Sequence, residues 1–216
     1  MVKIKKGDFV KIKYVGRLKD DNYIFDLNDE EVAKKENIYN DKVEYKPFTV
    51  CVGQKDVVKG LDEALVGKEP KEKFSVELQP EDAFGKKDPK FMQLVSAKKF
   101  KEKNMRPYPG MPITINNTPG IVKTVSGGRI MVDFNHPLAS REVKYDVEIL
   151  EVVTDDAEKV KAIAEMHLGM KNPKVTVEGN VAKIDNEFPE QLHVPVGKSI
   201  IERVPTLKKV EFKKVK

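Results

Sequence analysis

The sequence predicts an α+β protein built mainly of antiparallel strands, with a small β domain inserted in it and an α+β lobe at the C-terminal end. Three observations predict this. Apolar residues alternate with period two in several stretches before residue 86. Composition then changes, with five prolines (89, 107, 109, 112, 119) and four methionines (92, 105, 111, 131) between 86 and 134. From Thr154 a helical period replaces the alternation. A chain of 216 residues is long for one average domain and short for three.

The elements follow in order. DFVKIKYV (8–15) sets Val10, Ile12 and Tyr14 on one face and Phe9, Lys11 and Lys13 on the other, which is strand alternation. Beyond Gly16, RLKDDNYIFDL gives a second strand or bend carrying Phe25 and Asp26. DEEVAKKENIYNDK is a polar surface excursion with one helical turn. KPFTVCVG is β-branched and strand-like, with Phe48, Val50 and Val52 on one face and Thr49 and Cys51 on the other. Cys51 there reads as a small buried apolar residue.

A short helix is expected over 56–65, from Asp56 as N-cap to Gly67 past its end. EKFSVELQP alternates again, and EDAFGKKDP turns sharply. Between 86 and 134, strands are expected at PITINN, GIVKTV and RIMVDF, separated by the turn signals NNTPG and SGG. REVKYDVEILEVV resumes the long alternation. Thr154 caps a helix over TDDAEKVKAIAEMHLG, KVTVEGNVAKID is a hairpin around Gly179 and Asn180, and LKKVEFKKVK ends the chain as a strand.

Composition excludes several function classes. Three scattered histidines (136, 167, 193) and the single Cys51 give neither a disulfide framework nor zinc spacing, and they predict a reducing, cytoplasmic setting. No membrane-spanning stretch or signal-peptide core is legible. Net charge is +5, but the 40 basic residues interleave with 35 acidic ones, and only five are Arg (17, 106, 129, 141, 203). Base and phosphate readout favours clustered Arg forks. The charge pattern therefore predicts a solvated mixed surface and no nucleic-acid binding. No cofactor or metal is expected.

One stretch poses the functional question. VGQKDVVKGLDEALVGKEPKEKF (52–74) contains no Ser, Thr, His or Cys, and its regular feature is Val57, Val58, Leu61 and Leu65 at helical spacing. Its inner face offers only carbon and backbone amides.

The ordered pieces KYVGRL, FD, PFTVCVGQKDVVKGLDEALVG, EDAFG and YDVEILEV together resemble the FKBP family of peptidyl-prolyl cis/trans isomerases. The chain between EDAFG and NHPLA stands where SlyD-like and long archaeal-type members carry an insert-in-flap domain. The resemblance covers about 1–152. It implies an isomerase domain of 1–85 and 135–152, an insert of 86–134, and a C-terminal α+β domain of 153–216 outside the family. It also implies an antiparallel sheet wrapped around the short helix. The site residues it implies are Tyr14, Phe25, Asp26, Phe48, Val57, Val58, Leu61, Phe84 and Tyr145. Two positions depart from the family pattern. Leu61 replaces the usual Trp floor, which implies weak binding of macrolide inhibitors, and Phe84 lacks the hydroxyl of the usual Tyr. Without the resemblance, these apolar residues would read as ordinary core.

An apolar pocket of this kind catalyses rotation without a nucleophile. The expected partners are unfolded polypeptides with X–Pro bonds. Phe91, Met92, Leu94, Tyr108, Met111 and Ile113 in the insert are expected to hold such clients, in a domain too small to bury them all. Two other readings compete: a holdase with weak or no isomerase activity, and a ribosome-associated factor using the basic tail. The C-terminal lobe, about sixty residues, is small for independent stability. It is expected to pack on the first lobe or on a second copy as a homodimer.

Overall fold

The first sheet is organised around β1 (Phe9–Leu18), whose alternate residues Val10 and Ile12 are 0% exposed. Burying each contributes about 1.5–3 kcal/mol. The structure, a computed structural model, describes residues 3–102 and 104–213. After β1 come β2 (Ile24–Leu27), α1 (Glu30–Lys35), β3 (Phe48–Cys51), α2 (Lys59–Leu65) and β4 (Lys73–Leu78). The Asp29 side chain caps α1 by accepting from the amides of Glu31 and Val32. β1 is shared along its length: β3 pairs antiparallel with Phe9–Ile12 and β2 with Val15–Arg17.

The insert contains β5 (Met92–Ser96), α3 (Ala97–Lys101), β6 (Pro112–Ile115), β7 (Thr118–Ser126) and β8 (Arg129–Asp133), in the sheet order β5-β8-β7-β6. Asn116 and Asn117 both have positive φ, at 49° and 62°, which lets two residues turn β6 into β7. β5 and α3 were not legible as elements, because Val95 is the only buried residue of β5. The insert core gathers Val95, Phe100, Ile113, Val122, Ile130 and Val132.

β9 (Val143–Val153) returns antiparallel to the whole of β1 and completes the sheet order β2-β1-β9-β4. Next come α4 (Asp156–Leu168), β10 (Val175–Glu178), β11 (Val181–Glu187), α5 (Glu190–Arg203) and β12 (Lys209–Lys213). The Asp155 side chain, not Thr154, caps α4, accepting from the amide of Glu158 at 2.8 Å. Gly169 closes α4 at φ 63°, the left-handed conformation glycine adopts without strain. β10 and β11 form the expected hairpin. β12 then lies parallel to β11, which requires a crossover, and α5 supplies it.

The chain divides into two compact units. One contains the described residues up to Glu77 and from Val143 onward, and the other is Leu78–Glu142. The C-terminal elements belong to the first unit. Phe9, Cys51 and Val153 share one buried cluster with Val160, Ile163, Ile184, Ile200 and Leu207. The Phe9 face of β1 is therefore covered from within the chain, the first of the two packings expected for the C-terminal lobe. Cys51 is buried there, and burial pushes its thiol up to about 11.

Candidate active site

The site starts from a glycine. In the strand register Gly16 lies between Asp26 on β2 and Tyr145 on β9. A Cβ on Gly16 would stand 2.8 Å from the Phe25 ring and 3.0 Å from the Tyr145 ring, so only glycine lets both rings close over the strand. The register slips between Gly16 and Arg17, and such a bulge re-aims side chains beside it.

Three aromatic rings meet at this point. Phe25 meets Tyr145 edge to face with centroids 5.8 Å apart, and Tyr14 meets Tyr145 at 6.1 Å. The Tyr14 hydroxyl donates to Asp26 Oδ2 at 2.9 Å. Burial raises both phenols above their ordinary range, and the Asp26 charge raises them further. Both hydroxyls therefore stay protonated at neutral pH, with the Tyr14 proton committed to Asp26.

Asn28, which sequence reasoning missed, fastens the end of β2. Its Oδ1 accepts from the Tyr14 amide at 2.7 Å, its Nδ2 donates to the Ile12 carbonyl at 3.1 Å, and its own amide donates to the Tyr14 carbonyl. The only signal for it in the sequence is a polar residue two positions beyond the FD pair.

The structure brings together Tyr14, Phe25, Asp26 and Tyr145. Val57 and Val58 are half-buried at the entry to α2, and Leu61 is fully buried on its first turn. Phe48 is half-buried on β3 and borders a groove of about 420 Å³ with Pro47, Met166 and Met170. Phe84 belongs to the other unit and stacks on His136 at 4.7 Å. α2 itself begins later than expected. Val58 stands at its N-cap and has no polar side-chain atom to cap with, while the Asp56 carboxylate is taken by the amide of Cys51 and by Arg203.

The expected client residues divide by exposure. Phe91 is 50%, Leu94 62% and Tyr108 60% exposed, Met92 is also open, and Met111 is half-buried. Ile113 departs from the expectation: at 7% exposed it belongs to the insert's own core.

Comparison with known proteins adds the family. The FKBP-type peptidyl-prolyl cis-trans isomerase model matches residues 2–101, and a model described as the FKBP26 IF domain matches 93–138. The short-type peptidyl-prolyl cis-trans isomerase of Methanocaldococcus jannaschii is 34% identical over 155 residues, 72% of this chain and 98% of its own. This chain belongs to the FKBP-type peptidyl-prolyl cis-trans isomerases. The SlyD isomerase of Haemophilus influenzae is 30% identical over 154 residues, covering 69% of this chain and 72% of its own. The 16 kDa FKBP-type isomerase of Escherichia coli is 32% identical over 112 residues, covering 50% and 74%. This FKBP-type isomerase is thus an enzyme of X–Pro rotation. Among its described residues no helix is long and apolar enough to cross a membrane.

Proposed function

We propose that this FKBP-type isomerase is a folding enzyme: its insert captures unfolded chains, and the cluster around Tyr14, Asp26 and Tyr145 rotates their X–Pro bonds. The barrier, about 18–20 kcal/mol, exists because twisting the amide destroys its resonance. The planar amide separates charge between oxygen and nitrogen, and the twisted amide does so less. Water therefore favours the planar form, and a dry aromatic surface favours the twisted one relative to it. That is differential binding, and each 1.4 kcal/mol or so of it gives about tenfold in rate.

In this reading Asp26 transfers no proton. It fixes the Tyr14 hydroxyl, while the rings of Phe25 and Tyr145 exclude water. Val57, Val58 and Leu61 form the apolar wall, the Val58 amide donates to a substrate carbonyl, and Phe48 adds a further aromatic contact. Leu61 in place of a larger floor makes macrolide binding weak. The interleaved surface charge, with pairs such as Lys11–Glu151, Lys19–Glu77 and Lys34–Glu30, favours peptide clients over nucleic acid. A single buried thiol suits the cytoplasm.

The observation that carries this reading is the Tyr14–Asp26 hydrogen bond inside the aromatic cluster. Asp26 is exposed, so Asp26→Ala leaves the fold intact and lowers the melting temperature by only about 2–4 °C. Losing that bond, worth about 1 kcal/mol, lowers kcat/KM on a proline peptide several-fold. Unchanged kcat/KM removes Asp26 from the site. A holdase is the second reading, favoured by the exposed Phe91, Leu94 and Tyr108.

A further inference from the structure

The strongest unassigned feature is a buried carboxylate next to the apolar wall. The Asp56 side chain is 2% exposed and has three partners. Its Oδ2 accepts from the Cys51 amide at 2.8 Å, and its Oδ1 lies 2.7 Å from Arg203 Nη1 and 3.1 Å from His167 Nε2. Arg203 is the last residue of α5 and His167 stands in the last turn of α4. The ends of both C-terminal helices thus converge on one residue of the turn between β3 and α2.

Backbone bonds hold the start of that turn, from the Val52 amide to the Asp8 carbonyl and from the Gln54 amide to the Cys51 carbonyl. Lys55 takes a left-handed φ of 61°, and buried Asp62 accepts from the amides of Gly53 and Lys55, so Asp56 is the anchor that adjoins Val57. Val57 and Val58 follow Asp56 directly, and α2 starts at Lys59. Asp56 therefore sets where the two valines leave the turn. The C-terminal lobe is itself fixed, because its helices share the buried cluster with Phe9 and Cys51.

We infer that the C-terminal lobe positions the catalytic wall: Arg203, assisted by His167, holds Asp56 and so aligns Val57 and Val58 for the isomerase reaction. This rests on the reading of those valines as the wall. Arg203 is a positioning residue and touches no substrate. Its planar fork matches the carboxylate, and an ammonium only partly replaces it.

The test uses the full chain on a proline peptide, well below the melting temperature, with kcat and KM measured separately. Val58→Ala first establishes the wall by lowering kcat/KM, and no effect there would remove the wall reading itself. Arg203→Met keeps the aliphatic stem and removes the fork. It lowers kcat roughly ten- to hundredfold with little change in KM, the scale expected when a site wall shifts by up to an ångström. It also moves the Val57 and Val58 methyl resonances, and Arg203→Lys restores part of both effects. If Arg203→Met does not fold, Asp56→Asn combined with Arg203→Met removes the stranded charge, and the same drop in kcat is expected. Where Val58→Ala impairs the enzyme, unchanged kcat and unmoved methyl resonances in the folded Arg203 variant, or in the double variant, would overturn the inference.

Discussion

Replacing residues 86–134 by a short loop lowers catalysis of protein refolding about a hundredfold while short proline peptides lose only a few-fold. The insert leaves Phe91, Met92, Leu94 and Tyr108 exposed, and under the proposed function a client held there is tethered to the same chain as the isomerase site, at high effective concentration. A tetrapeptide is too short to use that tether. The deletion is geometrically feasible because the two ends of the insert lie side by side. The Asp88 amide donates to Asn135 Oδ1 at 2.8 Å, and the Lys87 amide donates to the Ser140 hydroxyl at 2.8 Å. The check is kcat/KM on both substrate types for both proteins. Equal losses on the two would assign the insert to support of the fold alone.

Gly16→Ala is the second change with a large effect. Its new methyl would meet the Phe25 ring at 2.8 Å and the Tyr145 ring at 3.0 Å, and both rings must move. Overpacking of this kind costs about 1–3 kcal/mol of stability. Because the displaced rings are the proposed desolvating surface, kcat/KM on a peptide falls at least about tenfold. Gly120→Ala is the matched control. Its Cβ would stand 2.7 Å from the Phe134 ring and 2.9 Å from Val132, inside the insert. It carries a similar stability cost with peptide activity retained. Thermal melts and peptide kinetics on the two variants separate a damaged site from a merely weakened fold.

Much of the first sheet was legible because its strands bury one face and keep period two, as at Val10 and Ile12 on β1 and at Val143, Tyr145, Val147 and Ile149 on β9. α4 was legible from its acidic first turn and terminal Gly169. α5 was not, because Pro195 and Gly197 stand inside it and read as helix breakers. Its role as crossover between parallel strands makes it necessary all the same. Asp56 read as a helix cap because local spacing allows that, whereas its partner Arg203 lies 147 residues away. Ile113 looked available to clients since alternation alone does not say which face of a small sheet is inside. The quartet of Tyr14, Phe25, Asp26 and Tyr145 came from the order of family motifs. Gly16, which allows its closure, is visible in the sequence only as an unexplained glycine.

The central claim is that carbon, ring faces and one oriented phenol suffice to catalyse rotation of an X–Pro bond in a folding chain. Its most direct test is refolding of a protein whose slow phase is proline isomerisation, a phase of about 10–100 s at 25 °C. The full-length chain is added far below the client concentration. The account predicts a slow phase that accelerates in proportion to added enzyme and turns over many clients per molecule. An unchanged slow phase, with aggregation suppressed only at one protein per client, would contradict it and leave a holding protein in its place.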